Sequence, residues 1–234
     1  MAHSVLLSTL VTRCQQRANR EGDSQLSPAE YKSLISEKYA EMHALVSEKG
    51  ARYFETEADL NLSNLALPAD HLSTLGVDFV ISGTTGPRRP LAGPVSVQDR
   101  SFLTGLQSGS GPAFYYGIEG GNITLYPTPT SGTYKHLYLP QPTDLSSASD
   151  STSVDLINIY GEKFVIWGVT SIAQHKGEED QNRALLEEQK AQAQLEYWAC
   201  QRALTFAPHR PVGPGTQGPS MPWMNFPLDW RWSP

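Results

Sequence analysis

The sequence predicts a mainly α fold with a β insertion: a four-helix bundle made of two helical pairs, a small antiparallel β layer and an extended C-terminal tail. Three patterns predict it. Apolar residues recur at helical spacing up to residue 50 and again beyond residue 150. Between those stretches the period falls toward two, and after Phe206 proline and glycine break every period. The expected division is residues 1–50 for the first helical pair, 51–150 for the β-rich insertion, 151–207 for the second helical pair and 208–234 for the tail. A chain of 234 residues fits one core-bearing domain with an appendage better than two domains.

The first helix is expected from Ser4 to about Arg20, where Leu6, Leu10 and Cys14 stand four apart on a polar, arginine-bearing background. Glu21-Gly22-Asp23-Ser24 breaks it. Ser27-Pro28-Ala29-Glu30 then reads as a capping box with proline at the first helical position. Tyr31, Leu34, Ile35, Tyr39, Met42, Leu45 and Val46 line one face of the helix that follows, up to a stop at Gly50. Lys32, Glu37, Lys38, Glu41 and Glu48 form its solvated face.

From Tyr53 the alternation of Phe54, Thr56, Ala58, Leu60 and Leu62 with Glu55, Glu57, Asp59 and Asn61 predicts a strand. Further strands are expected at 65–67, 77–82, 114–119, 123–126 and 133–139. Glu119-Gly120-Gly121-Asn122 is a hairpin turn signal, because its glycines accept the positive φ of a tight β-turn. Thr143 to Ser153, rich in serine and aspartate, is expected to be a loop. The second helical region should begin near Val154, with Leu156, Ile157, Tyr160, Phe164, Trp167 and Ile172 as its stripe. Glu178, Glu179 and Asp180 suit the first turn of a last helix, where carboxylates meet the positive end of the helix dipole. That helix carries Leu185, Leu186, Leu195 and Trp198, and the short connection implies antiparallel packing on its predecessor. Trp167 and Trp198 are expected to fill the core.

Composition removes several classes of function. Only Cys14 and Cys200 are present, which disfavours a disulfide framework or a thiolate metal site. Six scattered histidines show no metal-ligand spacing, so neither metal nor cofactor is expected. The chain lacks a G-x-S-x-G elbow and a phosphate loop, and no enzymatic activity is expected. Glu55 and Glu57 could be imagined as an acid/base pair, but their alternation reads more plainly as a solvated strand face. No apolar run is long enough to span a bilayer. A net charge of −6 argues against a dedicated nucleic-acid binder.

Four segments, in order, resemble the head-to-tail connector or adaptor family of tailed bacteriophages. They are Leu65-Ala66-Leu67-Pro68-Ala69-Asp70, Leu75-Gly76-Val77-Asp78, Asn122-Ile123-Thr124-Leu125-Tyr126-Pro127-Thr128-Pro129, and the block from Tyr134 to Pro140. The stretch from Ile157-Asn158 through Glu162-Lys163-Phe164 to Glu178-Glu179-Asp180 is similar to that family's C-terminal helices. The resemblance runs from about Leu6 to Arg202 and rests on order and spacing. It implies a structural virion protein made in the host cytoplasm and placed at the head–tail junction. It further implies a homododecameric ring below the portal protein, docking a nozzle, stopper or tail-tube protein, with double-stranded DNA passing through the lumen without sequence-specific binding.

The tail after Phe206 lies outside that resemblance. Its aromatic density is high for a flexible end, and aromatic and arginine side chains dominate binding hot spots. Trp223, Phe226, Trp230, Arg231 and Trp232 are therefore the candidate partner-binding residues, expected to insert into clefts of a portal or tail subunit. A competing reading is a helical client-binding or assembly-chaperone module that uses the same tail.

Overall fold

The computed structural model describes residues 3–19, 26–50, 52–83, 85–96, 98–99, 103, 111–176 and 181–206. Its helices are α1 (Leu7–Arg17), α2 (Pro28–Glu48), α3 (Ile159–Lys176) and α4 (Asn182–Phe206). The start of α2 is the predicted capping box. The Ser27 hydroxyl accepts from the Glu30 backbone N–H at 3.3 Å, and the Ser27 N–H donates to Glu30 Oε2 at 2.7 Å. Two of the helix's orphan donors are thereby satisfied.

Helix α3 is the centre of the helical layer, packed against α1, α2 and α4. Apolar residues surround its axis, and Phe164, Val165, Val169 and Ala173 are all buried, as a helix enclosed by neighbours requires. Leu7, Leu10, Cys14, Tyr31, Ile35, Met42 and Leu195 close the core around it. Full burial of one such leucine contributes about 1.5–3 kcal/mol.

Asn158 starts α3. Its Oδ1 accepts from the Tyr160 and Gly161 N–H groups at 2.8 and 3.0 Å. Asn158→Ala is expected to cost about 1 kcal/mol of unfolding free energy in urea titration, the loss typical of a helix N-cap. Just before it, Ile157 is held at φ +69°, a left-handed conformation that a β-branched residue rarely adopts. The turn is fixed by the Ile157 N–H donating to Asp155 Oδ1 at 2.9 Å.

The β structure occupies the middle of the chain. Strands β2 (Thr56–Leu60), β3 (His71–Val80), β4 (Arg88–Pro90) and β7 (Thr133–Pro140) form an antiparallel sheet in the order β2-β7-β3-β4. Strands β5 (Tyr115–Glu119) and β6 (Asn122–Tyr126) form a hairpin turned by Gly120 and Gly121 at φ +54° and +83°. The hairpin closes a second core with the sheet. Leu60, Val77, Leu91, Tyr116, Ile123, Leu125 and Tyr134 are buried there, and the Ala113 N–H donates to the Tyr134 hydroxyl at 2.8 Å.

The expectation of a four-helix bundle with a small β layer is overturned. Strand makes up 26% of the chain, in several antiparallel sheets, one of them four-stranded. Two of the added strands lie where helix was expected. Ser4–Leu6 is β1, paired antiparallel with β8 (Ser153–Asp155), and α3 begins only at Ile159. Leu6 shares the four-residue spacing of Leu10 and Cys14, so periodicity alone assigned it to the helix. Backbone pairing captured it instead: the Leu7 N–H donates to the Thr152 carbonyl and the Leu156 N–H to the His3 carbonyl, both at 2.9 Å. Residues Glu178 to Asp180, expected in the first turn of the last helix, lie outside the described residues.

Candidate interaction surfaces

Helices α1 and α3 meet over a cleft of about 510 Å³ lined by Arg13, Gln16, Arg17, Ile159, Glu162, Lys163, Ile166 and Trp167. Residues 13, 16 and 17 share one face of α1 because three- and four-residue spacings stack on a helix. On the α3 side, Glu162 forms the floor, buried, with both carboxylate oxygens engaged. His3 Nε2 lies 2.6 Å from Oε2, and Arg13 pairs with Oε1. The Arg17 guanidinium sits 5.1 Å above the Trp167 ring. The cleft continues into a smaller depression of about 250 Å³ that Gln174, Arg183 and Ala184 complete.

The electrostatics of this cleft are lopsided. Arg13 is matched by Glu162, but Arg17, Lys163 and Arg183 have no carboxylate within ion-pair distance among the described residues. Glu187 lies outside the lining; the hydrogen bond from Lys190 holds its carboxyl below the ordinary value, and the charges of Arg183 and Lys163 add to the effect.

A second charged surface lies on α2. Glu30, Glu37, Glu41 and Glu48 are all exposed. Spacings of seven, four and seven residues put them on one stripe about 27 Å long, at 1.5 Å per residue. Glu41 takes a hydrogen bond from Lys38 at 2.8 Å, while Glu37 and Glu48 have no cation partner among the described residues.

Two apolar surfaces accompany these. Between α3 and α4 a groove of about 370 Å³ is lined by Tyr160, Ala193, Gln194, Tyr197, Trp198 and Gln201, with Tyr197 69% exposed. On β3, register shifts between His71 and Ser73 and between Thr74 and Gly76 leave Leu72 and Leu75 without ladder partners. Both leucines are about half exposed, at 50% and 45%. A bulge re-aims side chains in this way because the extra residue is pushed out of the ladder.

The titratable groups of the sheet are buried or paired. His136, fully buried on β7, has Nε2 3.1 Å from Thr74 Oγ1, its Nδ1 is unpartnered, and its ring stacks 5.0 Å from Tyr138. Burial pushes its pKa down to about 4, with His71 adding to the shift. On the opposite face Glu57 is held below the usual carboxylate range by Arg88, with Lys135 also bonded to it. Glu55 pairs instead with Arg52. The two carboxylates are occupied by different cations, which favours the solvated-face reading over an acid/base pair.

Of the residues expected to bind partners, Trp223, Phe226, Trp230, Arg231 and Trp232 all lie outside the described residues. Trp198 is half-buried against the helical core, edge-on to Tyr53 at 5.9 Å. Trp167 is not a core residue as expected but a wall of the cleft under Arg17. The cleft itself is not legible in the sequence. Its visible trace was the pair Arg13 and Arg17 one turn apart, but Lys163 and Arg183 arrive from segments about 150 residues away.

Among the described residues no group of histidine, cysteine and carboxylate side chains could hold a metal ion, and no helix is long and apolar enough to cross a membrane. A family described as SU10 adaptor protein matches residues 6–211. No curated protein matches the chain.

Proposed function

Because the chain belongs to the SU10 adaptor protein family, a family of phage head-to-tail adaptors, we propose that it assembles into a ring, a dodecamer, between the portal protein and the tail. The observation that carries this reading is the extent of the match, which takes in both the helical layer and the β layer. In the filled virion such a ring, built from chains made in the host cytoplasm, leaves a passage for double-stranded DNA. It also presents a platform to a nozzle, stopper or tail-tube protein. The net charge of −6 supports passage without adhesion, since attraction to phosphates requires an excess of lysine and arginine. The work is done by shape and burial, with partner surfaces in the place of an active site.

In this reading the aromatic tail is the anchor. Trp223, Phe226, Trp230 and Trp232, with Arg231, insert into clefts of a portal or tail subunit on a proline-rich tether that has little conformational entropy to lose. Particle imaging of the protein mixed with its portal tests both parts. The full chain is expected to give closed collars seated on the portal, and monomers or dimers beside bare portals would overturn the ring. A chain ending at Ala207 is expected to attach poorly to portal and tail. Normal attachment by that shortened chain would remove the tail's role.

A further inference from the structure

We propose that the basic cleft between α1 and α3 is one half of the contact between neighbouring copies, and that its occupant is the acidic stripe of α2 from the next copy. This inference rests on the ring reading above. A ring that closes by rotation joins two different surfaces of the same chain, one on each flank. Among the described residues the structure offers such a pair of opposite charge, and both members belong to the helical layer.

The pairing follows from charge and spacing. Arg17, Lys163 and Arg183 form no ion pair with a carboxylate among the described residues, although Glu187 feels the charges of Lys163 and Arg183, and they gather around one cleft in a chain of net charge −6. Glu37 and Glu48 are carboxylates without cation partners, on a straight stripe shared with Glu30 and Glu41. Arg13 and Arg17 stand one helical turn apart on α1, and Glu37 and Glu41 stand one turn apart on α2. The two rows therefore have the same pitch of about 6 Å and can lie side by side. The stripe cannot fill the cleft of its own chain, because α2 packs on α1 and α3 through its opposite, apolar face of Tyr31, Ile35, Met42 and Val46.

Nucleic acid is the less suited occupant. Attraction of a phosphate backbone requires an excess of lysine and arginine that a chain of net charge −6 lacks. A glutamate row, by contrast, can address Arg17, Lys163 and Arg183 singly. Complementary rows of this kind set partner orientation and register more than they set affinity. Trp167, half-buried beneath Arg17, supplies an apolar wall that limits water around the contact.

The test is a charge exchange. One variant carries Arg17→Glu with Lys163→Glu, the other Glu37→Lys with Glu41→Lys; thermal melting verifies that each still folds. Collars formed on portal rings are counted by particle imaging. Each variant alone is expected to lose collars by about tenfold or more, the factor that accompanies replacing a few attractive pairs by repulsive ones. Mixing the two variants is expected to restore collars, because the acidic cleft of one then meets the basic stripe of the other and copies alternate around the ring. Wild-type-like collars from either variant alone, or no rescue on mixing, would overturn the pairing while leaving the ring intact. Absence of collars from the unmodified chain would instead overturn the ring itself. Binding of a fluorescent DNA duplex that disappears only in the cleft variant would identify nucleic acid as the occupant and likewise overturn the inference.

Discussion

Lowering the pH from 7 to 4.5 is expected to cost the protein about 2–3 kcal/mol of stability through His136 alone, most of it lost between pH 6.5 and pH 4.5. His136 is fully buried between β2 and β3, and burial, together with the charge of nearby His71, lowers its pKa from 6.5 to about 4. The unfolded chain takes up a proton as the pH falls through 6.5, whereas the folded chain resists until about 4. Between those values the unfolded state holds more protons, so stability falls with pH there and is independent of this group above that window. His43, lowered by burial as well, acts in the same direction. Asp78, raised by burial, acts weakly against it. The carboxylates held low by partners act in the same direction as His136, Glu57 from near its ordinary value of 4.5 at the bottom of this window and Asp144 from near 3.8 beneath it. Urea titrations at pH 7.5, 5.5 and 4.5 check the prediction by comparing the wild type with His136→Phe, which keeps an aromatic ring against Tyr138. The variant is expected to show a much flatter dependence. Equal losses in both proteins would place the acid sensitivity elsewhere.

Gly161→Ala is the second large effect. A methyl group at this buried position would run into the Leu156 carbonyl and approach Met42 Sδ to 2.9 Å, and Met42 is itself fully buried. Alanine is intrinsically better than glycine in a helix by about 1 kcal/mol. The clash outweighs that gain, because neither a backbone carbonyl nor a packed core side chain can step aside, and overpacking of this kind costs about 1–3 kcal/mol or more. Gly168→Ala in the same helix is the control. Its methyl would meet the Lys38 side chain at 2.8 Å and Glu188 Oε1 at 2.9 Å, both on long chains that can move. That variant is expected to stay within about 1 kcal/mol of the wild type, its helix gain offset by a disturbed Lys38–Glu188 contact. Thermal melts of the two variants side by side decide the matter; similar melting temperatures would contradict the tight seat of α3 at its first turn.

What could be read from the sequence was local. Ser27 and Glu30 announce α2 because the two hydrogen bonds of a capping box depend on residues three apart. Gly120 and Gly121 announce the β5–β6 hairpin because a tight turn requires positive φ. What stayed hidden was decided at a distance or masked by irregularity. The two bulges of β3 interrupt its alternation, so its ten residues do not advertise one strand. Arg88-Arg89-Pro90 has no apolar alternation at all and becomes β4 only because β3 offers a free edge. The helical core was legible as stripes, but the basic cleft needed α1 and α3 to be brought together, and Trp167 could not be told from a core residue until Arg17 was found above it.

The pairing of β1 with β8, reinforced by Glu162 reaching back to His3 and Arg13, joins residues about 150 positions apart. A ribosome adding roughly 5–20 residues per second takes on the order of 10–30 seconds to cover that distance. For all of that time the nascent α1 has no central helix to cover Leu7, Leu10 and Cys14. Synthesis of this protein therefore carries a built-in interval in which α1 waits for the distant segment that completes its packing.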